Sequence, residues 1–264
     1  MRAQSAGIHA IVGPNGSGKT TLLNMISGFY RPTSGTIDLD EVRTHTRGPS
    51  AIARMGVQRT FQTPRLMGEL SVLDNVRFGG YVRERATGVE LALRLPRARK
   101  ESDMFDAEAM HLLGIVGLAA RAHERAALLP HGQQRLVEIA RALLGRPRLL
   151  LLDEPAAGLS LGELDELAAL MLAIRRMGIT LIMVEHHIEL VANIADTVTV
   201  LDRGRILAEG TPQQVFNDPA VINNTGIPAG AKKFAIMSIV FWSLAICAGR
   251  LTEYPAFVQA WFGF

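Results

Sequence analysis

A glycine-rich segment near the start of the chain has the residue types and spacing of a loop that binds polyphosphate. Its glycines let backbone N–H groups curl around phosphate oxygens, and the helix that follows presents its positive dipole end. Lys19 supplies a charge for the β- and γ-phosphates of a nucleotide, and the hydroxyl of Thr20 is a hard ligand for Mg²⁺. A glycine-rich turn that binds nothing is the alternative, but an apolar strand before the loop and a helical pattern after it favour phosphate binding. The candidate nucleotide-binding residues are Gly13, Pro14, Asn15, Gly16, Ser17, Gly18, Lys19, Thr20 and Thr21.

Two adjacent acids, Asp153 and Glu154, follow the apolar run Leu149 to Leu152. In a parallel sheet the ligand crevice lies beyond the carboxyl ends of the strands, so we expect both acids to stand opposite the phosphate loop. Successive side chains along a strand alternate in direction, which allows the two acids different roles. We expect Asp153 to hold hydrated Mg²⁺ and Glu154 to orient and deprotonate a water that attacks the γ-phosphate. Acids after a strand can also be simple turn formers, but the phosphate loop favours the chemical interpretation.

Short apolar runs alternate with helical patterns along the chain, which predicts an α/β fold with a parallel sheet flanked by helices. A hairpin-like piece is expected over Gly35 to Val42, after a turn rich in Pro, Ser and Gly. The predicted strands are Ile8 to Val12, Leu149 to Leu152, Thr180 to Val184 and Thr197 to Leu201.

Residues 71–129 have helical apolar spacing over Val72 to Val76 and Asp106 to Leu113, which predicts a mostly helical insertion in the α/β core. Between these two patterns lies a run of basic residues. A solvated helical face is the favoured interpretation of this run, and a contact with anionic lipid or a partner is the alternative. The basic residues are Arg83, Arg85, Arg94, Arg97, Arg99 and Lys100.

The composition excludes several classes of protein. The chain has 264 residues and a formal net charge of +3, which is too small to indicate nucleic-acid binding. Aromatic residues make up 6% of the chain, which also argues against a base-stacking surface, so we expect no nucleic-acid partner. The single cysteine, Cys247, excludes an internal disulfide and a multi-cysteine zinc site. Met1 to Gly7 is short and polar, so no secretory signal is expected there.

The last part of the chain, residues 223–264, is predicted to be a linker followed by an apolar tail. Phe234 to Gly249 carries no charge and is bracketed by Lys233 and Arg250, which gives it marginal length for a membrane helix. The pattern of residues 234–249 favours insertion into a membrane and packing as a helix on a protein surface about equally.

The segment Leu129 to Arg135, with the letters LPHGQQR, resembles the signature segment of ABC-transporter ATPases. It stands just before the acid strand, where that family carries it. Other motifs of the family appear in the expected order along the chain. Gln62 resembles the Q-loop glutamine, Gly158 to Leu161 resembles the D-loop, and His186 resembles the switch histidine. The resemblance covers Gly7 to Ile222, so residues 1–222 are expected to form an ABC-type ATP-binding domain.

The resemblance implies a RecA-like P-loop NTPase fold, with ATP and Mg²⁺ bound and ATP hydrolysed. It implies a dimer, of two copies or of two paralogues, in which Gly132 and Gln133 contact ATP held by the opposite subunit. Gln62 would reach Mg²⁺ and link the site to the helical insertion, where a membrane permease docks. His186 would contact the γ-phosphate and the attacking water. Catalysis is thus assigned to Glu154, His186 and Gln62, and the metal to Thr20, Gln62 and Asp153.

Within the family, several stretches are most similar to the ATP-binding subunits of branched-chain amino-acid importers, and relatives that serve urea or other small solutes are very similar. This implies a peripheral protein on the cytoplasmic face of the inner membrane, which works with permeases and, indirectly, with a solute-binding protein. The tail would allow an additional C-terminal anchor. The stretches are Gly28 to Pro32, Arg59 to Gln62, Glu154 to Leu159 and Gly210 to Pro212.

The sequence departs from the family pattern at the signature and at the start. Pro130 stands where a serine usually bonds the γ-phosphate, and proline has neither a hydroxyl nor an N–H. We therefore expect weaker ATP-driven dimerisation. Met1 to Gly7 has no counterpart of the adenine-stacking aromatic of the relatives, which predicts looser nucleotide binding or a misplaced start. A truncated, weakly active or inactive ABC module and a soluble ABC ATPase without a permease are the alternative functions.

Overall fold

A computed structural model of the protein describes residues 1–87, 89, 90, 93 and 95–225. The membrane or surface helix expected over residues 234–249 lies outside these described residues. Within the described part of the chain, none of the helices combines the length and the apolar character that crossing a bilayer requires. The described residues divide into two compact units, one made of residues 1–19 and 159–225, the other of the described residues between Thr20 and Gly158.

Strands and helices alternate along the described residues, as the sequence predicts, and short 3₁₀ turns join several of them. The strands are β1 (Ile8–Val12), β2 (Asp38–Leu39), β3 (Val42–Arg43), β4 (Val57–Arg59), β5 (Leu149–Asp153), β6 (Thr180–Val184), β7 (Thr197–Asp202) and β8 (Arg205–Gly210). The helices are α1 (Lys19–Ile26), α2 (Pro49–Arg54), α3 (Val72–Arg77), α4 (Pro96–Ile115), α5 (His131–Leu144), α6 (Leu161–Arg176), α7 (Ile188–Ile194), α8 (Pro212–Phe216) and α9 (Pro219–Thr225).

The first unit contains a four-stranded sheet in the order β6, β1, β7, β8. Strand β1 pairs in parallel with β6 and β7, and its five residues are all buried, as expected for a strand covered on both faces. Strand β8 pairs antiparallel with β7 and closes a hairpin whose turn residues, Arg203 and Gly204, both have positive φ. The sequence did not predict β8, because its apolar stretch, Ile206 to Ala208, is short and lies between the charged residues Arg205 and Glu209.

The second unit contains the parallel pair β4 and β5, in which Val57 lies opposite Leu149 and Arg59 opposite Leu151. Helices α3, α4 and α5 pack together in this unit, so the helical character predicted for residues 71–129 is found there. The predicted helical stretches 72–76 and 106–113 fall inside α3 and α4. The parallel strands predicted from the sequence, in both units, are likewise found at the expected positions.

Two expectations need correction. The hairpin expected over Gly35 to Val42 is shifted toward the C-terminus, because Asp40 and Glu41 adopt positive φ and form the turn between β2 and β3. In the basic run, Arg83 is not part of a solvated face, since its Nη1 donates to Glu108 Oε1 over 2.8 Å and to the Leu144 carbonyl over 2.7 Å. Arg94 lies outside the described residues. The remaining members of the run are exposed: Arg85, Arg97, Arg99 and Lys100.

Candidate active site

The phosphate loop connects the buried strand β1 to helix α1, and Lys19 is the first residue of that helix. Gly13, Gly16 and Gly18 have φ values of +152°, +79° and +103°, which residues with a Cβ rarely adopt. The three glycines therefore let the backbone curl between strand and helix, as a phosphate-binding loop requires. Thr20 and Thr21 follow in the first turn of α1, where both are exposed.

The loop rests on the β7–β8 hairpin of the same unit. A Cβ added at Gly13 would overlap the Leu201 carbonyl oxygen at the end of β7, so only glycine fits this approach of the two backbones. The Gly204 N–H, in the hairpin turn, donates to the Ser17 carbonyl over 2.9 Å. The hairpin thus supports the loop from outside the strand–loop–helix motif itself.

The Lys19 side chain is buried and turns back into the loop. Its Nζ donates to the Gly13 carbonyl over 2.8 Å and to the Pro14 carbonyl over 2.9 Å. The Ser17 hydroxyl oxygen is buried, and no partner for it is found among the described residues. An ammonium group and a buried hydroxyl inside a curl of backbone form a donor set that suits an anionic phosphate.

The switch-histidine candidate, His186, follows β6, the strand directly beside β1 in parallel pairing. Because parallel neighbours end at the same edge of a sheet, His186 and the phosphate loop leave the first unit at the same edge. His186 is exposed, whereas Glu185 before it is buried and accepts from the His186 N–H over 2.9 Å and the His187 N–H over 3.4 Å. Glu185 therefore shapes the turn that presents the histidine.

In the second unit, Asp153 is the last residue of β5 and lies in a buried ion pair with Arg59. Arg59 Nη2 donates to Asp153 Oδ2 over 2.9 Å, and the two side chains are only 6% and 4% exposed. Arg59 Nη1 donates to Asn24 Oδ1 over 2.6 Å and to the Ser27 hydroxyl over 3.1 Å, both on or just after α1. The arginine thereby joins the acid strand to the helix that follows the phosphate loop, a role the sequence did not predict.

The two catalytic candidates of the second unit contact each other directly. Gln62 Nε2 donates to Glu154 Oε2 over 2.8 Å, so the Q-loop glutamine and the proposed base lie in direct contact. Glu154 has a φ of +50°, a left-handed conformation that is unfavourable for a residue with a Cβ. Its carbonyl oxygen accepts from Arg135 Nη1 and from the Ala157 N–H, which hold the strained turn in place.

The signature candidates lie at the start of helix α5, in the second unit. Pro130 is the N-cap residue of α5 and makes no side-chain capping bond. The hydroxyl that a serine would supply at this position is therefore missing from the helix terminus itself. Gly132 and Gln133 lie in the first turn, where the positive end of the helix dipole is located. Gln133 Oε1 accepts from Arg121 Nη1, which orients the glutamine side chain.

Glu138, further along α5, was also missed by sequence reasoning. It is buried and accepts from the Phe61 N–H over 3.4 Å and the Arg65 N–H over 3.2 Å, on either side of the Q-loop glutamine. Arg141 lies beside it at 3.0 Å. Burial raises the pKa of the Glu138 carboxyl above its ordinary value, although the two N–H bonds and Arg141 act in the opposite direction. Nothing in the local sequence distinguishes this glutamate from a solvent-facing one.

The structure thus assembles two groups of the predicted residues. The phosphate loop and the turn that carries His186 lie at one edge of the first unit's sheet. Gln62 and Glu154 are in contact in the second unit, where Arg59 holds Asp153. That Lys19, Asp153, Glu154 and His186 surround a single triphosphate stays a prediction.

Comparisons with known proteins match most of the chain. The family described as "ABC transporter" matches residues 1–157, and the family described as "Branched-chain amino acid ATP-binding cassette transporter" matches residues 205–223. The first match includes every candidate site residue except His186.

The chain is 38% identical over 223 residues to the high-affinity branched-chain amino acid transport ATP-binding protein BraF of Pseudomonas aeruginosa, covering 84% of this chain and 88% of that protein. It is 41% identical over 217 residues to the protein LivG of Escherichia coli, which has the same description, covering 81% and 85%. Among solved structures, an ATP-binding cassette of an ABC transporter in its ADP conformation is similar with a TM-score of 0.73. The sequence identity is 31%, and the match covers 84% of this chain and 89% of that one.

Proposed function

We propose that this chain, which belongs to the ABC transporter family of ATP-binding proteins, is the ATP-hydrolysing subunit of an importer for branched-chain amino acids. Hydrolysis of ATP coupled to transport is the activity of this family. The observation that carries the proposal is the loop of three left-handed glycines closed around Lys19, in the described strand–loop–helix.

The substrate class is inferred from a family match and from the descriptions of two relatives. Residues 205–223 match a family described by branched-chain amino acids, and relatives at 38% and 41% identity carry the same substrate in their descriptions. Because β8 and the helices after it form this part of the chain, the match is separate from the motifs shared by all members of the wider family.

Hydrolysis follows from the chemistry of the candidate side chains. The loop N–H groups and Lys19 hold the β- and γ-phosphates and offset their charge. Glu154 accepts a proton from water as the water oxygen attacks the γ-phosphorus, and the bond to the β–γ bridging oxygen breaks to release ADP and phosphate. His186 donates a hydrogen bond to the γ-phosphate and orients the attacking water.

Mg²⁺ fits the donor set of the second unit. Thr20, Gln62 and Asp153 offer a hydroxyl, an amide carbonyl and a carboxylate, which are the hard oxygen ligands that Mg²⁺ prefers. Arg59 bonds Oδ2 of Asp153, and we assign Oδ1 of the same carboxylate to the metal. When bound, the ion would neutralise charge that develops on the phosphate oxygens.

The partners follow from family membership. We infer a dimer in which Gly132 and Gln133 at the start of α5 contact ATP held by the opposite subunit, where the helix dipole favours an anion. The opposite subunit is a second copy or a paralogue. A membrane permease would bind this dimer on the cytoplasmic face of the inner membrane, and a solute-binding protein would act indirectly through the permease.

The test is ATP hydrolysis and amino-acid uptake by the full chain with two variants. Lys19→Ala is expected to abolish ATP binding, whereas Glu154→Gln is expected to keep binding and stop hydrolysis. Lys100→Ala removes an exposed lysine of α4 and is the matched control for the ATPase measurements, in which it is expected to bind and hydrolyse ATP as the wild type does. Removal of Mg²⁺ with a chelator is expected to stop hydrolysis.

Two outcomes would contradict the proposal at different levels. Equal loss of ATP binding in Lys19→Ala and Glu154→Gln would remove the role assigned to Glu154. For the substrate, uptake of labelled leucine into vesicles that contain the permease should require the active chain. Uptake of labelled urea in place of leucine would overturn the substrate class while leaving the ATPase assignment intact.

A further inference from the structure

Arg135 lies in the second turn of α5, three residues after Gly132, and its side chain is buried. Its guanidinium reaches two main-chain oxygens from distant parts of the second unit. Nη1 donates to the Glu154 carbonyl, and Nη2 donates to the Gln62 carbonyl over 3.2 Å. One rigid, planar group therefore sets the spacing between the backbone of the proposed base and the backbone of the Q-loop glutamine.

The side chains of the same two residues are also bonded, since Gln62 Nε2 donates to Glu154 Oε2 over 2.8 Å. Arg135, Gln62 and Glu154 thus form a closed triangle, with two sides made by the guanidinium and one by the amide. The triangle is built on a strained residue, because Glu154 has a φ of +50°. A non-glycine residue keeps such a conformation only when its surroundings over-determine it.

We propose that Arg135 is a positioning residue for ATP hydrolysis, which holds the left-handed main chain of Glu154 at a fixed distance from Gln62 so that the Glu154 carboxylate is aligned to accept the proton of the attacking water. This inference rests on the proposed function. Arg135 acts through Glu154 and does not touch the reacting atoms. Its place on α5 ties the signature segment of a subunit to that subunit's own base.

Arginine is the residue this position needs. Two carbonyl oxygens from different segments are met by two N–H groups of one planar fork, whereas the lysine ammonium is a compact point charge on a flexible stem. A misplacement of a catalytic group by about 1 Å can lower a rate by about 100-fold. Loss of the fork should therefore change the turnover rate much more than the affinity for ATP.

Arg141 provides a matched comparison on the same helix. It is partly buried, and its Nη1 donates to the Arg65 carbonyl over 2.8 Å, while Nη2 donates to Glu138 Oε1 over 3.0 Å. Arg141 therefore also joins α5 to a main-chain carbonyl of the Q-loop region, but its hydrogen bonds within the described residues go to Arg65 and Glu138 and not to Glu154. If Arg135 only held the helix against the loop, substitution of Arg135 and substitution of Arg141 would have the same effect on ATP hydrolysis.

The experiment uses the full chain with Arg135→Lys, Arg135→Gln and Arg141→Lys. For both Arg135 variants we expect kcat for ATP hydrolysis to fall by about 10- to 100-fold, with KM for ATP within about twofold of the wild type. For Arg141→Lys we expect both constants to stay within about threefold. Arg135→Gln keeps a neutral donor in place, so it provides a second folded variant if the lysine does not fit the buried site.

A second measurement tests whether Arg135 also shapes the site that binds the nucleotide. In the Glu154→Gln background, titration calorimetry with Mg²⁺–ATP measures binding without turnover. Adding Arg135→Lys to that background is expected to leave the Kd within about twofold, since the arginine acts on the base alone.

Three results would overturn the inference: a kcat within about twofold of the wild type for both Arg135 variants, an equal loss of kcat in Arg141→Lys, or a tenfold weaker Kd in the double variant. Failure of the proposed function has a different signature. It would appear as a wild-type chain that does not hydrolyse ATP, or as Glu154→Gln turning over at the wild-type rate, whatever Arg135 does.

Discussion

Arg59 and Asp153 form an ion pair 2.9 Å long between residues 94 positions apart in the sequence, with both side chains almost completely buried. The pair connects β4, which leads into the Q-loop, with β5, which carries the proposed metal ligand and base. Burying two charges is unfavourable unless each is paired and hydrogen-bonded, and Asn24 and Ser27 supply the further bonds to Arg59. The orientation of Asp153 is therefore set before any ligand binds.

Replacing Arg59 by methionine should leave Asp153 buried without its cation. We expect Arg59→Met to lower the free energy of unfolding by about 3–5 kcal/mol in chemical denaturation. The control is Arg148→Met, which removes an exposed partner of Asp40, with side-chain exposures of 64% and 58%. That change should cost no more than about 1 kcal/mol. Equal losses in the two variants would mean that burial of the Arg59 pair has no energetic consequence.

A methyl group at Gly13 should disrupt the phosphate loop. The added Cβ would overlap the Leu201 carbonyl, and the φ of +152° is itself unfavourable for alanine. We expect Gly13→Ala to reduce stability by about 2–4 kcal/mol and to weaken ATP binding. Gly16→Ala meets no atom within 4 Å, so only the left-handed backbone opposes it, at about 1–2 kcal/mol. Comparable ATP affinities in the two variants would show that the approach to Leu201 is dispensable.

A serine at position 130 should supply the hydroxyl that the signature segment lacks. Pro130 has a φ of −54° and a ψ of 151° at the N-cap of α5, an extended conformation that serine also adopts. Pro130→Ser is expected to raise stability by about 1 kcal/mol through capping. A charge-assisted bond to ATP across a dimer adds about 1.5–3 kcal/mol, so ATP-dependent dimerisation should tighten by roughly tenfold or more.

Sedimentation with Mg²⁺–ATP in the Glu154→Gln background measures the dimerisation effect of Pro130→Ser. Pro130→Ala is the matched control, because it also restores the N–H but adds no hydroxyl. If the serine and alanine variants dimerise equally, the hydroxyl does not contact nucleotide in the opposite subunit.

His9, the second residue of β1, should make the first unit sensitive to acid. It is 2% exposed and bonds through Nε2 to the Thr199 hydroxyl over 2.8 Å. Burial lowers the pKa of the His9 imidazole below its ordinary value of 6.5, although Glu209 acts in the opposite direction. Below pH 6.5 the unfolded chain therefore binds a proton that the folded chain does not, and stability falls as pH falls toward the folded pKa.

We expect the free energy of unfolding to decrease below pH 6.5 with a slope contribution of up to about 1.4 kcal/mol per pH unit from His9. This contribution should be absent in His9→Gln and retained in His131→Gln, which replaces an exposed histidine. A pH profile of His9→Gln parallel to that of the wild type would assign the acid sensitivity to other groups.

Much of the fold and site follows from local patterns in the sequence. The apolar runs within β5 and β6 are continuous because strands covered on both faces need no polar side, whereas β1 and β7 include the buried polar residues His9 and Thr199. The phosphate loop can be predicted because three glycines and a lysine at fixed spacing satisfy a backbone requirement that acts within a few residues. Glu154 could be assigned because it follows an apolar strand that ends opposite the phosphate loop. Gln62 could be assigned only through resemblance, since it has no local pattern of its own.

Only the tertiary structure revealed the side chains that hold this machinery. Arg59 and Arg135 lie in segments that carry the resemblance and Glu138 does not, but no role could be predicted for any of the three, since their roles arise from partners many positions away. Burial decides their function, because a charge removed from water must find a specific partner. The left-handed turn at Glu154 was equally invisible, since glutamate does not favour that conformation and adopts it here within its contacts to Arg135, Gln62 and Ala157. Short segments of the sequence thus determine the chemistry of the site, whereas the alignment of its side chains depends on contacts that form only when the chain folds.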